Sequence, residues 1–551
     1  MNVAGYLLDS LLANGIDTVF GLGGGSVEPI HDALYERADR IRFVLARHET
    51  AAGFMADAYW RYSGKPAAIL TTSGAGIFNA CNGIAEAFMN RAPVVCIAGA
   101  IPQPIMLSSV LQNTSGYGGS PDLAKAFDPL CVFARVVTSA EHAPAAIRAA
   151  VERIHYPRRG PALLVLPKDV QTLRCEETIR AFVRRPTPSS GDLDQVVRAI
   201  DRARAPLVVA GEGVKRQRAR GGLLELVTSL NVPVATTPLG GDCFPNRHPN
   251  YLGPMGLFGA PRANKRAQKA DTLIFVGTNE EPWACYSIPL AEKVRVSLHD
   301  GCAAQVHSPI HYSGDLPTAL RAIAAALPAR RFDFEPPGEA AGEISSQLLE
   351  LDGFNVNSVV KRIGELLPDR TNCMYECGLV AAAGVHFNRI PDQAQVELSL
   401  ATGSMGYAVA GIIGAAIARP DRDSVALTAD GSMMMHGAEI HTAVSEKLDI
   451  LFVVLNNNSH GIGAKAQEIF YDGRVQGTTY APVHCATLAR GYGAGYVDRI
   501  VDASEVDAKM AAAFKRRGVR VVEVVIRRDA CPPMLNFLQH AAGQPQSGIF
   551  D

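Results

Sequence analysis

Short β-branched runs separated by longer amphipathic stretches constrain this chain more than any other feature. In its first third the runs are DTVFGL, FVLAR, AAILTT, PVVCIAG and PALLVLP. Alternation of this kind predicts parallel sheets with helices on both faces. The pattern restarts twice, as APLVVAGEGV, VPVATTP, DTLIFVG and KVRVSLHD, then as NCMYEC, SVALTAD, DILFVVLNNN and RVVEVVIRR. Polar, Pro-bearing linkers fall between the series, RRPTPSSGD at 184–192 and LPARRFDFEPPGEAAGE at 327–343. A chain of 551 residues is longer than one core usually covers. The expected architecture is therefore α/β, with three doubly wound parallel-sheet domains spanning 1–183, 184–330 and 331–551.

Composition removes several function classes. Hydrophobic residues make up 48% and charged residues 19%, with a net charge of −1 and no basic block. Neither nucleic acid nor an anionic membrane is an expected partner. No apolar run reaches the roughly 18 residues of a membrane span. The first residues, MNVAGYLLDSLLANGID, lack a basic segment and carry Asp9, so no secretory signal is expected there. The 11 cysteines are scattered and form no C-x2-C pair, which fits a reduced, cytoplasmic protein.

Open parallel sheets bind ligands beyond the carboxyl ends of their strands, so the residues just after each strand carry the information. They are Gly21–Ser26 in the first series, Gly211–Gly213 and Thr278–Glu281 in the second, and Asp430–Gly431 with Asn456–Asn458 in the third. Asp430 closes SVALTAD. Asn457 closes the next strand 27 residues later, with one helix, MMMHGAEIHTAVSEK, expected between them. Both side chains then emerge at one sheet edge. A carboxylate with an amide oxygen is a hard-oxygen pair suited to Mg2+ or Ca2+ rather than zinc. Gly431 and Ser432 open the helix, whose N–H groups can take a phosphate. Met433, Met434 and Met435 read as core packing of that helix.

At this point the chain resembles the thiamine diphosphate enzymes of the acetolactate synthase and 2-oxo acid decarboxylase superfamily, including the benzoylformate decarboxylase-like members. Their diphosphate motif is Gly-Asp-Gly, about 26 residues, then Asn-Asn; here Ala429 replaces the first glycine. ARHETAAGFMADAYWR (46–61), LTTSGAGIFNACNGIAEAFMNRAPVVCIAG (70–99) and LATGSMGYAVAGIIGAAIA (400–418) resemble further family segments in order. The resemblance implies Asp430, the Asn457 side chain and the Ser459 carbonyl as metal ligands. It implies cofactor contacts from Gly378, Gly403, Met405, Gly431, Ser432, His460 and Gly461. Met405 would wedge between the cofactor's rings, and Glu49 would activate it by hydrogen-bonding the aminopyrimidine. His48 reads as structural. Family sites form between subunits, so a homodimer or homotetramer is implied.

The outcome of the reaction divides the family. Acetaldehyde-releasing members carry two adjacent histidines in the loop after the first domain's fourth strand, where this chain reads SSVLQNTSGYGG. Gln112 falls where ligating members carry a glutamine. The resemblance thus implies a carboligase that decarboxylates a 2-oxo acid and passes the acyl group to a second carbonyl. The alternative is a simple decarboxylase of the phosphonopyruvate, sulfopyruvate or benzoylformate type. Ser26 falls at a substrate-serine position, or caps the next helix; His436 and His460 are further substrate candidates. FAD is not expected, because TNEEPW replaces the Arg-Phe-Asp-Asp stretch of the FAD-binding members.

Overall fold

The computed structural model describes residues 1–156, 158–182, 189–286, 288–300, 307–336 and 353–528. The expected runs become strands, and the strands form three sheets. The first comprises β1 (Thr18–Gly21), β2 (Arg42–Leu45), β3 (Ala67–Thr71), β4 (Val94–Ala100), β5 (Phe133–Val136) and β6 (Ala162–Pro167), in the order β2-β1-β3-β4-β6-β5. All its pairings are parallel. Its central strands β3, β4 and β6 are buried throughout, as strands covered by helices on both faces must be.

The second sheet holds β7 (Ser190–Gly191), β8 (Pro206–Ala210), β9 (Val234–Thr236), β10 (Tyr251–Pro254), β11 (Thr272–Val276), β12 (Val294–His299) and β13 (Ile310–Ser313). Their order is β10-β9-β8-β11-β12-β13-β7, and only β7 runs antiparallel to its neighbour. β7 lies inside the stretch read as a linker. Residues 184–188 of that linker, and 337–343 of the second, lie outside the described residues.

The third sheet is β14 (Thr371–Tyr375), β15 (Gln395–Leu398), β16 (Asp423–Ala429), β17 (Ile450–Asn456), β18 (Tyr496–Ile500) and β19 (Val519–Val525), in the order β15-β14-β16-β17-β19-β18. Every pairing in it is parallel. The first and third domains share a core. Helix Glu49–Ser63 of the first packs along helix Tyr407–Ala418 of the third, closely enough that a Cβ on Gly414 would collide with the Met55 carbonyl. One continuous hydrophobic cluster includes Phe54, Met55 and Ala58 from one side and Tyr407, Ile412 and Ile413 from the other.

Between Asp430 and Asn457 the single expected helix is two, Asp430–His436 and Glu439–Ser445. Gly437 and Ala438 break them. The restart lets the Glu439 carboxylate accept from the backbone N–H groups of Arg47 and His48 at 2.9 Å, tying it to the end of β2. Of the three methionines only Met433 is core. Met434 and Met435 are 46% and 56% exposed, because the short helix turns that face outward.

Candidate active site

The third sheet delivers Asp430 and Asn457 from neighbouring strands, β16 and β17, to one edge. Asp430 is 1% exposed, and neither of its carboxylate oxygens has a partner at hydrogen-bonding geometry. Burial pushes its carboxyl up, partly offset by the nearby Tyr480 hydroxyl and the backbone N–H groups of Gly431 and Asn458. The Ser432 Oγ is likewise buried, with no partner at hydrogen-bonding geometry, and lies near the Glu376 carboxylate. Leaving a buried carboxylate and a hydroxyl unpaired is costly unless something fills the space between them.

The three asparagines divide their work. Asn456 donates to the Val483 carbonyl at 2.8 Å and to Glu523 at 2.6 Å, and its Oδ1 accepts from the Asn458 N–H. Asn458 sits at φ 51°, a left-handed conformation that asparagine tolerates, and its Oδ1 accepts from the Val483 N–H at 2.9 Å. The Asn457 side chain makes no hydrogen bond among the described residues; only its carbonyl is used, accepting from Arg528 Nε at 2.8 Å. Gly461 is glycine because a Cβ there would lie 2.5 Å from Leu379 Cδ1 and 2.9 Å from Asn457 Nδ2. Ser459 Oγ donates to the Thr478 carbonyl, which pins the strand-end turn.

Gly431 has the same character. A Cβ on it would lie 2.7 Å from Met405 Cε and 3.1 Å from the His460 ring. Met405, Gly431 and His460 therefore converge beside Asp430, and His460 is steadied edge-on by Tyr480 at 5.3 Å between ring centroids. Gly403, at φ 67°, lies in the turn that presents Met405, and Gly378, at φ 76°, precedes helix Leu379–Phe387. Beneath them lies Glu376, a residue no motif pointed to. Its carboxylate accepts from the Gly406 N–H at 3.1 Å and from Thr428 at 2.9 Å. Burial raises it to about 7, with Thr428 and the neighbouring N–H groups opposing. Glu376 thereby fixes the 403–406 turn against the strand that ends in Asp430.

The first sheet's carboxyl edge carries a different set. Glu49 is the first residue of its helix and 8% exposed, and His48 caps that helix by accepting from the Thr50 N–H. Asn79 donates to Glu49 Oε2 at 3.1 Å, and a Cβ on Gly76 would lie 3.2 Å from Oε1. Gln112 is held at φ 60° over Gly74, in the same wall. The loop around it is organised by Asn113, which donates to the carbonyls of Met106 and Ser108. Ser26 bonds Thr72 Oγ1 at 2.9 Å and accepts from the Ser73 N–H, joining the ends of β1 and β3. It does not cap the following helix; Val27 occupies that position, with no side-chain cap.

No hydrogen bond or ion pair among the described residues joins Glu49 to the 403–405 turn or to Asp430. His436 does lie between the two domains, edge-on to His48 at 5.7 Å and Phe54 at 5.6 Å, against Gly406. Burial and then the neighbouring His48 lower it to about 4, so it stands neutral at physiological pH. As a substrate proton donor it is poorly set.

Among the described residues no group of three or more His, Cys, Asp or Glu side chains could hold a metal. The Asp430–Asn457 pair is a sparser, harder set, of the sort that Mg2+ accepts when phosphate oxygens complete its shell.

Three family models match along the chain: the thiamine pyrophosphate enzyme N-terminal TPP binding domain over residues 1–117, the central domain over 193–322 and the C-terminal TPP binding domain over 376–524. The chain belongs to the thiamine pyrophosphate enzyme family. Among curated relatives it is 28% identical to the acetolactate synthase isozyme 1 large subunit of Escherichia coli, covering 95% of this chain and 93% of that one. It is 27% identical to the mitochondrial acetolactate synthase catalytic subunit of Saccharomyces cerevisiae (97% and 82% covered) and to the acetolactate synthase large subunit of Corynebacterium glutamicum (96% and 87%). A solved structure from Mycobacterium smegmatis, assigned to the thiamin diphosphate-dependent enzymes, superposes with a TM-score of 0.80 at 22% identity, covering 96% of this chain and 99% of that one. It shares the fold. As a thiamine pyrophosphate enzyme, this chain has three α/β domains, and among its described residues no helix is long and apolar enough to cross a membrane.

Proposed function

We propose that this thiamine pyrophosphate enzyme is a carboligase of the acetolactate synthase type, taking a 2-oxo acid as donor and a second carbonyl compound as acceptor. The near-full-length similarity to acetolactate synthase subunits supports this reading. The observation that carries the cofactor assignment is the unpartnered, buried pair of Asp430 and Ser432 beside an unengaged Asn457. Those atoms fit a divalent cation with a diphosphate. Asp430, Asn457 and the Ser459 carbonyl would hold Mg2+, and Ser432 would take a phosphate oxygen. Met405, Gly403, Gly378, His460 and Gly461 would line the cofactor.

Thiamine diphosphate, when bound, supplies the electron sink that lets a 2-oxo acid lose carbon dioxide. The chain's own residues orient and exclude. Glu49, steadied by Asn79, would hold a hydrogen bond to the cofactor's pyrimidine nitrogen. A carboxylate in so closed a wall is shielded from water, which strengthens that bond. Gln112 can donate to the oxygen of an acceptor carbonyl, where negative charge develops. No histidine lines the loop that carries Gln112, and His436 is neutral, so neither place offers an efficient acid to a substrate held there.

Glu49 and the Asp430 set stand on separate sheet edges, and Met434 and Met435 are exposed beside the latter. Both features support sites completed by a second copy, in a dimer or a dimer of dimers. The stretch TNEEPW, residues 278–283 beside the middle sheet, supports absence of FAD. Gly211 and Gly213 pack tightly against Gly277, and the cavity at this edge is lined by Glu212 and Glu281 together with Arg61, Arg91, Arg159 and Arg216. Burial, then Glu281, raises Glu212 to about 7. Free cysteines throughout the described residues support a reducing, cytoplasmic location. The limits 1–183, 184–330 and 331–551 are supported because each sheet and each matched model falls within one interval.

The test is incubation with thiamine diphosphate, Mg2+ and a panel of 2-oxo acids, with acyloins and aldehydes measured together by mass spectrometry. Ligated product in excess of aldehyde is expected for at least one donor–acceptor pair. Aldehyde as the main product with every acceptor would replace this reading with a simple decarboxylase.

A further inference from the structure

A second cleft of about 600 Å3 lies where all three domains meet. Pro93, Gln395 and Arg422, among its lining, sit at the amino ends of β4, β15 and β16, the opposite edge from the candidate active site. Among the described residues no carboxylate lines this cleft, whereas arginines reach it from every domain. The first domain supplies Arg61 and Arg159. The second supplies Arg216, Arg218 and Arg220 with Lys215. The third supplies Arg419 and Arg422.

The acids are locked behind the wall. Glu397, 1% exposed at its side chain, takes Arg216 at 2.7 Å, Lys215 at 3.0 Å and Arg61 at 3.2 Å. Asp242, equally buried, takes Lys215 at 3.0 Å and Arg220 at 2.5 Å. Two buried carboxylates thus hold four cations in place, and the cations are ordered before any ligand arrives. Of the other cations, Arg159 pairs with Asp300 at 2.7 Å and Arg419 with Asp421 at 3.2 Å, whereas Arg218 and Arg422 have no ion pair among the described residues. Arg422 donates through Nη1 to the Gln393 carbonyl, and its buried Nε has no partner. Burial first, and then the neighbouring guanidinium of Arg419, lower its pKa, with Asp421 opposing and Arg370 and Arg220 adding to the shift. Arg218 has no side-chain hydrogen bond or ion pair among the described residues. It is held at φ 57°, a left-handed conformation where glycine or asparagine is the usual choice.

We propose that this cleft binds a small anion carrying a di- or triphosphate group, with Arg218, Arg220 and Arg422 as its principal ligands. Guanidinium forks match phosphate oxygens bidentately and stay charged when half-buried. The volume suits a nucleotide-sized molecule. Recession between three domains favours a small ligand over an acidic protein surface. A nucleoside triphosphate and free polyphosphate share this chemistry. An occupant would bridge the three domains and relieve the repulsion at Arg422. The proposal is independent of the reaction assigned above.

The test uses the full protein saturated with thiamine diphosphate and excess Mg2+, so that the diphosphate site is already filled, at constant ionic strength. Tripolyphosphate, ATP, AMP and inorganic phosphate are titrated by calorimetry, and the melting temperature is followed alongside. Saturable binding of tripolyphosphate or ATP is expected, at one site per chain, with a raised melting temperature and much weaker binding of AMP and phosphate. ATP binding well above tripolyphosphate would identify the nucleotide as the ligand; equal binding would identify the oligophosphate alone. Arg218→Gln, at an exposed position, should weaken binding roughly tenfold, and Arg218→Lys should recover part of the loss. Adding Arg422→Gln should remove binding. Absence of saturation up to millimolar concentrations, or binding undiminished in both Gln variants, would overturn the proposal.

Discussion

The first and third domains have the same strand order, with the second strand outside the first and the last two exchanged, and all their pairings are parallel. Their carboxyl edges nonetheless carry unlike chemistry. The third ends two central strands on Asp430 and Asn457, with buried oxygens left unpaired. The first places Glu49 at a helix start, partnered by Asn79, and spends Ser26 on stitching β1 to β3. One architecture thus presents two different sets of side chains, and the difference lies in a handful of residues just beyond the strands.

Glu49 separates the two edges most strongly. Glu49→Gln should lower turnover about 10²–10⁴-fold, the usual worth of acid–base catalysis. Cofactor affinity by calorimetry should stay nearly unchanged. An equal loss of affinity and turnover would move Glu49 into the binding set instead.

Asp430→Ala should do the reverse, weakening thiamine diphosphate and Mg2+ binding together by about 100-fold, or about 2.7 kcal/mol. Calorimetry at fixed Mg2+ reads this directly. Undiminished affinity would show that the metal–diphosphate lies elsewhere.

Gln112→Ala should act on outcome rather than on rate. The ratio of ligated product to aldehyde should fall several-fold while carbon dioxide release changes little, since the lost donor stabilises only the acceptor's oxygen. A parallel fall in both would make the glutamine a general structural element of the wall.

Ser26→Ala should cost about 1 kcal/mol of stability by denaturant unfolding, because Thr72 and the Ser73 N–H lose a buried partner. Turnover should hold. A large rise in KM with unchanged stability would restore the substrate role that its sequence position suggests.

Much of this was legible in the sequence, for reasons that particular elements make clear. The central strands β3, β4, β6, β16 and β17 are buried on both faces and read as apolar runs. The strands absent from the sequence reading sit toward sheet edges. β5, β13 and β18 are largely half-exposed, so their residues need not be apolar, and β10 and β15 are four residues long at the ends of their sheets. Asp430 and Asn457 were visible because strand ends at one spacing leave few alternatives. Glu376 also closes a strand, so the same rule could have found it, but no motif surrounds it. Tyr480 and Asn79 come to their carboxylates through tertiary folding alone, with no local signal. Met434 and Met435 are exposed, against the core packing that their apolar side chains predict, because a helix that breaks at Gly437 keeps only its first turn in the core.

We propose that the two like sheets contribute unlike halves of one site and that the halves meet between chains. Mixing inactive Glu49→Gln protein with inactive Asp430→Ala protein tests it most directly, with subunit exchange verified by native mass spectrometry. Mixed dimers should contain one site with both residues intact, so activity should recover toward half that of each mixed dimer's wild-type counterpart. No recovery, despite demonstrated exchange, would contradict it and place each complete site within a single chain.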